Sequence, residues 1–326
     1  MNTVIDIKGL KTQFLTERGV VRAVDGVDLS VGKGCTLGVV GESGCGKTVL
    51  ALSIMRLVPT PPGKIIAGNI LLDGCDLLGL NENGMRQVRG RDISMIFQEP
   101  MTSLNPVFKI GEQIAEVVRI HRGFGRREAL DCSVSMLEKV GMPSAQVRVK
   151  DYPHQLSGGM RQRVMIAIAL ACRPKVMLAD EPTTALDVTI QSQMLELITN
   201  LQQETGTSVI LITHDLGVIA EATQNVAVMY AGQIVETCPT GELFMSPLHP
   251  YTIGLMESIP RMDCSGGRDT LLKAIEGNVP PLNKLPRGCR FRDRCPDAFG
   301  ICADHEPRLN ESRPGHFVRC WKYGNG

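Results

Sequence analysis

The stretch "VVGESGCGKTVL", residues 39–50, decides the fold of this chain. The six residues "CTLGVV" at 35–40 are short and apolar and end in β-branched side chains, as a buried parallel strand does. After the loop, Leu50, Ile54 and Leu57 recur at helical spacing. The order of strand, glycine-rich loop and helix predicts an α/β protein with the loop at the edge of a parallel sheet.

The loop from Gly41 to Thr48 matches the pattern G-x-x-x-x-G-K-[ST] in full. Glycines allow backbone N–H groups to face an anion, and the N-terminus of the following helix adds partial positive charge. We expect Lys47 to reach the outer phosphates of a nucleotide and the Thr48 hydroxyl to bind Mg²⁺. A turn without a ligand is the alternative, and the agreement of strand, loop and helix disfavours it.

Three further apolar runs end in polar side chains. "KVMLAD" leads into Asp180 and Glu181, "ISMIF" into Gln98, and "SVILIT" into His214. Because ligands bind at the carboxyl ends of parallel strands, we expect these groups to converge on the phosphate loop. We assign Asp180 and Gln98, with Thr48, to Mg²⁺. We assign Glu181 as the general base, with Gln98 and His214 as the other catalytic residues. A helix N-cap aspartate and a structural histidine are the alternatives.

A second anion-directed helix start lies in "LSGGMRQRVMIAIALACRP", residues 156–174. Ser157 is a natural N-cap, and the two glycines after it leave backbone N–H groups accessible. Two phosphate-directed helix starts are unusual in a monomeric nucleoside triphosphatase. The pattern therefore indicates that this loop binds a nucleotide held by a different subunit.

With these motifs the chain resembles the ATP-binding subunits of ABC transporters over about residues 4–245. The phosphate loop, Gln98, "LSGGMRQ", "LADEP", "TALD" and His214 occur in the family's order and spacing. The resemblance implies a RecA-like P-loop core with an antiparallel β flank, and a helical subdomain at about 99–169. We predict an ABC ATPase domain at 1–245 and a small cysteine-rich C-terminal extension at 246–326.

The resemblance also implies a head-to-tail dimer that encloses two ATP molecules. Phe14 lies where family members place an aromatic residue that stacks on adenine, although ordinary strand packing is the alternative. The predicted ATP-binding residues of this chain are Phe14, Gly41, Ser43, Gly44, Cys45, Gly46, Lys47, Thr48 and Val49. The residues predicted to contact ATP across the dimer are Ser157, Gly158, Gly159, Gln162 and Asp187.

A narrower resemblance is to the dipeptide and oligopeptide importers, a group that also includes nickel importers. It rests on "IFQEPMTSLNP" at 96–106, "DEPTTALDVTIQ" at 180–191 and "HPYTIGLMESIP" at 249–260. The implied partners are a second, homologous ATPase subunit in a heterodimer, two membrane-spanning permease subunits and, indirectly, an extracytoplasmic solute-binding protein. Import of nickel or another solute, a soluble ABC ATPase outside transport, and a non-enzymatic iron–sulfur regulator are the alternatives.

Composition is that of a globular protein. The 326 residues are 43% hydrophobic and 21% charged, with a formal net charge of +1, which gives no reason to expect nucleic-acid binding. No apolar run is long enough to span a membrane, and the start has no signal-peptide core. We expect a peripheral protein on the cytoplasmic face of the inner membrane.

The last 38 residues hold a cluster of four of the eleven cysteines. They are Cys289, Cys295, Cys302 and Cys320. A short segment with little core of its own needs a staple, and the peptide-importer resemblance implies a four-cysteine [4Fe–4S] cluster there. Zinc, disulfides and unligated thiols are the alternatives. Nearby arginines, among them Arg290, Arg292 and Arg294, would offset the cluster's charge.

Overall fold

The structure is a computed structural model and describes residues 3–98, 103–183, 187–258 and 275–324. The strands are β1 (Thr3–Thr16), β2 (Gly19–Gly32), β3 (Thr36–Val40), β4 (Gly63–Leu72), β5 (Cys75–Asp76), β6 (Ile93–Ile96), β7 (Val176–Asp180), β8 (Ser208–Thr213), β9 (Asn225–Tyr230), β10 (Gln233–Pro239), β11 (Asn310–Arg313) and β12 (His316–Val318).

The described helices lie between these strands along the chain, and four of them follow one another between β6 and β7. They are α1 (Lys47–Ile54), α2 (Glu82–Val88), α3 (Ile110–Arg122), α4 (Arg126–Lys139), α5 (Ala145–Arg148), α6 (Gly158–Leu170), α7 (Val188–Thr205), α8 (Leu216–Ala222), α9 (Thr240–Met245), α10 (Pro250–Glu257) and α11 (Ile301–Asp304). Within the described residues, no helix is both long enough and apolar enough to cross a bilayer.

The chain divides into two compact units, each assembled from separate stretches of sequence. The first unit comprises residues 1–6, 30–36 and 70–212, and the second comprises residues 7–29, 37–69 and 213–326. The predicted domain boundary after residue 245 stays a prediction.

Parallel strands form the centre of the first unit. β7 pairs with β6 on one side, with Leu178 opposite Met95, and with β8 on the other, with Leu178 opposite Ile210. Every residue of β7 is buried, as expected for a strand with neighbours on both sides. The carboxyl ends of β6 and β7 therefore lie side by side.

The first unit also contains the segment predicted to be helical. Between residues 103 and 170, the described elements are α3 to α6 and a short 3₁₀ turn. Ile110, Ile114 and Val118 form the buried stripe of α3, with the spacing of one helix face. α6 is buried along most of its length, so the glycine-rich start that it carries rests on a well-packed support.

The second unit combines one parallel and several antiparallel strand pairs. β3, which leads into the phosphate loop, pairs in parallel with β9, and Val39 lies opposite Ala227. β10 pairs antiparallel with β9, and β12 extends this sheet along the free edge of β10. β1 and β2 are neighbouring strands joined by only two residues, so they run antiparallel, as expected for the β flank.

The C-terminal segment, residues 246–258 and 275–324 of the second unit, shares its hydrophobic core with the sheet. Tyr251 and Phe291 are fully buried against Tyr230 at the end of β9, with ring centroids 4.6 Å and 5.2 Å from the Tyr230 ring. Leu255 and Leu282 pack on the same cluster. A segment that lacks a core of its own is thus stabilised by apolar contacts with the strands that precede it.

Candidate functional site: a phosphate loop and a paired glutamine and glutamate

The phosphate loop of the second unit needs glycine at two positions for packing reasons. A Cβ on Gly41 would lie 2.2 Å from the carbonyl oxygen of Met229, and one on Gly46 would lie 2.1 Å from that of Ala23. Gly46 also has a φ of +111°, which side chains disfavour. The glycines therefore allow the loop to lie directly against the backbone of β2 and β9.

The start of α1 has the groups that a polyphosphate requires. Lys47 is buried, and its Nζ donates to the carbonyl oxygens of Gly41 and Glu42 at 2.7 Å and 3.0 Å. The first turn of α1 contains no acidic residue, so nothing there opposes the positive end of the helix dipole. Thr48 is exposed, which leaves its hydroxyl accessible to a hydrated Mg²⁺.

The other predicted loop residues differ in exposure. Ser43 and Gly44 are exposed, Val49 is half-buried, and Cys45 is fully buried beside Gly41. Burial raises the pKa of the Cys45 thiol. Cys45 is thus a small packed side chain, and not a reactive thiolate.

In the first unit, two of the predicted catalytic side chains are in direct contact. Gln98, just after β6, donates from Nε2 to Oε2 of Glu181, just after β7, at 3.0 Å. The parallel pairing of β6 and β7 creates this contact, because both strands end at the same edge. Asp180, the last residue of β7, is buried.

Glu181 has an unusual backbone conformation. Its φ is +46°, in the left-handed region that non-glycine residues seldom adopt. Its N–H donates to the carbonyl oxygen of Ile212 at 2.8 Å, which holds the turn at the end of β7. Strained residues of this kind cluster at functional sites, because the surrounding structure must aim their side chains.

The remaining predicted nucleotide contacts belong to the second unit. His214 is exposed just after β8, and Phe14 is half-buried on β1 with its ring edge close to Gly63. This position of Phe14 is compatible with strand packing and with stacking on a base. Convergence of the residues of the two units on one nucleotide stays a prediction.

The glycine-rich start of α6 is presented to solvent within the described chain. Ser157 is the N-cap, and its Oγ accepts from the Met160 N–H at 3.4 Å. Ser157 and Gly158 are exposed, and a Cβ built on Gly158 meets no atom of the described residues within 4 Å, apart from its chain neighbours and its own helix backbone. Gly159 is half-buried, with a built Cβ 3.4 Å from Ile190.

Two residues predicted to contact a partner's nucleotide have intrachain partners. Gln162 is buried, and its side-chain amide donates to the carbonyl oxygen of Pro182. Asp187 is exposed and caps α7, with Oδ1 accepting from the Ile190 N–H at 2.9 Å. Gln162 therefore links α6 to the turn that follows Glu181.

Comparison with known proteins identifies the family. The ABC transporter family matches residues 24–184, and the oligopeptide/dipeptide transporter C-terminal region matches residues 235–302. The oligopeptide transport ATP-binding protein AppD of Bacillus subtilis is 52% identical over 99% of this chain and 98% of its own length. The chain belongs to the ABC transporter family of ATPases. OppD and DppD of the same organism are named for oligopeptide and dipeptide transport. They are 49% and 47% identical to this chain, over 98% of its length.

Solved ABC cassettes have the same fold. A dimeric structure of MJ0796, a bacterial ABC transporter cassette, matches with a TM-score of 0.65 and 26% identity, over 72% of this chain and 98% of that one. A second MJ0796 structure, a dimeric post-hydrolysis state with ADP and Pi, matches at 25% identity with the same TM-score. The predicted RecA-like α/β fold with an antiparallel sheet and helical parts is confirmed.

The prediction of an iron–sulfur cluster on Cys289, Cys295, Cys302 and Cys320 is overturned. Among the described residues, the His, Cys, Asp or Glu side chains that could together hold a metal ion are Glu236, Cys238 and His316, whose donor atoms lie within 4.8 Å of one another. None of the four predicted cysteine ligands belongs to this group. The similar proteins are named simply as ATP-binding transport proteins. All ten cysteines of the described chain are free thiols, and Cys264 lies outside the described residues.

Hydrophobic packing provides the stabilisation of the C-terminal segment that was expected from a metal cluster. Cys289 and Cys295 contact the hydrophobic cluster around Tyr230, and burial raises the pKa of the Cys289 thiol to about 11. Two arginines expected to offset a cluster's charge already have carboxylate partners. Arg290 pairs with Asp25 and Glu306, and Arg294 pairs with Glu42.

Glu236, Cys238 and His316 lie together in a buried group, and the hydrogen bonds to Glu236 leave it little capacity for a metal. Both Glu236 oxygens already accept, from the N–H groups of Leu248 and His249 at 2.7 Å and 2.9 Å, and from His316 Nε2 at 2.7 Å. Burial raises the pKa of Cys238 to about 12, so its thiol stays protonated near neutral pH.

Sequence reasoning missed the residues that support the phosphate loop from the C-terminal segment. The Tyr251 hydroxyl accepts from the Glu42 N–H at 2.8 Å, and Arg294 forms a two-point ion pair with the Glu42 carboxylate. An available signal was Glu42 itself. An acidic residue inside a polyanion-binding loop requires a cationic partner somewhere in the fold.

Proposed function

We propose that this chain is the ATP-hydrolysing subunit of an importer of dipeptides or oligopeptides. The observation that carries the proposal is 52% identity, along nearly the whole of both chains, to a protein named for oligopeptide transport. The match of residues 235–302 to the oligopeptide/dipeptide transporter C-terminal region supports peptides over nickel as the solute. The relatives OppD and DppD point to the same solutes.

Each predicted catalytic residue has a role that its surroundings support. Glu181 is the general base, and its hydrogen bond to Gln98 orients the carboxylate for the attacking water. Thr48, Gln98 and Asp180 are the Mg²⁺ ligands, directly or through water. His214 contacts the γ-phosphate. When bound, Mg²⁺ neutralises the charge that develops on the phosphate oxygens.

The glycine-rich start of α6 around Ser157, the signature loop, acts on the nucleotide of another subunit. Ser157, Gly158 and Gly159 supply N–H and hydroxyl donors to the γ-phosphate, assisted by Gln162 and Asp187. Exposure of Ser157 and Gly158 in this chain supports that arrangement, as does the dimeric state of a solved cassette of the family. Closure of the two ATPase subunits on ATP, and reopening after hydrolysis, provides the movement that drives transport.

The assembly that we propose has four kinds of subunit. This chain pairs with a different, homologous ATPase subunit, and the pair docks on two membrane-spanning permeases that receive peptide from an extracytoplasmic binding protein. The chain lies peripherally on the cytoplasmic face of the cell membrane. Co-purification of the chain with membrane subunits tests this assembly against an ABC ATPase that acts outside transport.

The catalytic assignment is tested by Glu181→Gln. Removing the base leaves the phosphate contacts intact, so the variant is expected to bind ATP like the wild type and to lose hydrolysis at least about a hundredfold. Fluorescent-nucleotide binding and phosphate release measure the two effects. Glu196→Gln is the matched control, because Glu196 is exposed on α7. Normal turnover by Glu181→Gln would refute the assignment. Lys47→Ala tests the phosphate loop separately, because this variant is expected to lose ATP binding itself.

A further inference from the structure

Glu42, the second residue of the phosphate loop, has all its polar groups engaged. Its N–H donates to the Tyr251 hydroxyl at 2.8 Å. Its carbonyl oxygen accepts from Lys47 Nζ at 3.0 Å and from the Cys45 N–H at 3.3 Å. Its carboxylate accepts from Arg294. One loop residue thus connects the phosphate-binding lysine to two residues of the C-terminal segment.

The ion pair with Arg294 has the geometry of a specific clamp. Nη1 and Nη2 each donate to a different oxygen of Glu42, at 2.6 Å and 3.0 Å. Only 5% of the Arg294 side chain is exposed, and its Nε donates to the carbonyl oxygen of Glu276 at 3.0 Å. The guanidinium also lies 5.9 Å from the ring centroids of Tyr230 and Phe291. These contacts fix the guanidinium independently of any nucleotide.

Charge explains why the loop needs this partner. Without Arg294, the Glu42 carboxylate would stand as a negative charge within a loop whose ligand is a polyanion, and it would repel the phosphates. The guanidinium cancels that charge. Tyr251 holds the backbone of the same residue, and the Glu42 carbonyl holds Lys47 Nζ, so the position of Glu42 sets the position of the lysine.

We propose that Arg294 and Tyr251 are positioning residues for the phosphate loop: by holding Glu42, the C-terminal segment sets the affinity of the cassette for ATP. The proposal rests on the function proposed above, because it assumes that the loop binds ATP. Because the coupling is reciprocal, ATP bound at the loop in turn stabilises the contacts of Tyr251 and Arg294 with Glu42. The C-terminal segment thereby acts on the nucleotide site.

The test measures ATP affinity in variants of the full chain with a fluorescent ATP analogue. Arg294→Gln is expected to weaken binding about tenfold, since it leaves a carboxylate beside the phosphates. Arg294→Lys keeps the charge but loses the two-point geometry, so its loss is expected to be smaller. Arg292→Gln, in the same short turn but paired with its neighbour Asp293, is the matched control and is expected to bind like the wild type.

A double variant separates positioning from general damage. Adding Glu42→Gln to Arg294→Gln removes the repelling carboxylate, so the double variant is expected to bind ATP more tightly than Arg294→Gln alone. In steady-state hydrolysis the loss is expected in KM, with kcat at saturating ATP nearly unchanged. A lower melting temperature with unchanged KM would indicate a structural role alone and would overturn the proposal.

Tyr251→Phe keeps the experiment decisive if the arginine variants fail to fold. It removes only the hydroxyl that accepts from the Glu42 N–H, and it is expected to raise KM for ATP about threefold to tenfold. Wild-type ATP affinity in every folded variant at 294 and 251 would overturn the clamp while leaving the proposed function intact. Failure of the wild-type chain itself to bind ATP would instead remove the proposed function.

Discussion

At the residue scale, the loop glycines show what the sequence pattern could and could not reveal. The pattern correctly predicted a strand, β3, and a helix, α1, on either side of the glycine-rich loop, and Gly46 has the positive φ that only glycine adopts without strain. The contacts of Gly41 and Gly46 with the backbones of Met229 and Ala23 could not be predicted. They depend on strands far away in sequence, which no local pattern encodes.

Gly46→Ala is expected to destabilise the protein more than a change at another positive-φ glycine. Its new Cβ would lie 2.1 Å from the Ala23 carbonyl oxygen, so the loop must move as well as adopt a strained φ. Gly34→Ala is the control, because Gly34 has a φ of +67° but open space around its Cβ. We expect about 1 kcal/mol of lost stability at Gly34, and at least about twice that at Gly46.

Urea unfolding measures both losses, and fluorescent-nucleotide titration measures the function of the loop. Only Gly46→Ala is expected to weaken ATP binding, since Gly34 lies outside the loop. Equal stability of the two variants would contradict the close approach of the loop to β2.

At the element scale, the start of α10 is held by a buried glutamate whose role the sequence did not reveal. Glu236 on β10 is fully buried and accepts from the His249 N–H, while the His249 ring accepts from the Tyr251 N–H at 3.0 Å and so caps the helix. "HPY" was recognised only as a mark of family resemblance. Its physical role depends on a partner 13 residues earlier, and the burial of both residues is visible only in the fold.

The burial of His249 is expected to make stability depend on pH. Burial lowers the pKa of His249 to about 3 from its ordinary value of 6.5. A hydrogen bond with the Arg319 backbone raises this pKa, and the Arg319 charge lowers it, but burial is the largest effect. Below about pH 6.5 the unfolded chain binds a proton that the folded chain does not, so stability falls as pH drops toward 3. The slope from this group is at most about 1.4 kcal/mol per pH unit.

His249→Asn is expected to flatten this slope, since asparagine retains a helix-capping oxygen without a titrating ring. Unfolding by urea at several pH values between 4 and 7 measures the slope. His305→Asn is the control, because His305 is exposed. An unchanged slope in His249→Asn would show that other groups set the pH dependence.

At the scale of the whole molecule, the sequence predicted the strand ends around Gln98 and Glu181 better than it predicted the C-terminal segment. The contact of Gln98 with Glu181 follows from two strand ends at one edge of a parallel sheet, and that order is visible in the sequence. The four cysteines were misread because the segment around them has little core of its own. In the fold, Phe291 and Tyr251 join the core of the preceding strands, and β12 pairs with β10.

A variant in the signature loop tests whether each nucleotide is shared between two ATPase subunits. A Cβ built on Gly158 has open space around it within the part of the chain that the structure describes, so Gly158→Glu is expected to fold and bind ATP as the wild type does. In a closed dimer its carboxylate would face the partner's γ-phosphate. We therefore expect ATP turnover of the assembled transporter to fall at least about tenfold.

Gly125→Glu is the matched control, because Gly125 likewise lies at the start of a helix, as the N-cap of α4, is exposed and has open space around its Cβ. Phosphate release by the purified transporter, with the melting temperature and ATP affinity of the isolated chain, separates the outcomes. Normal turnover of Gly158→Glu would contradict a nucleotide shared between subunits. Loss of ATP binding by the isolated variant would instead indicate that the signature loop acts within its own chain.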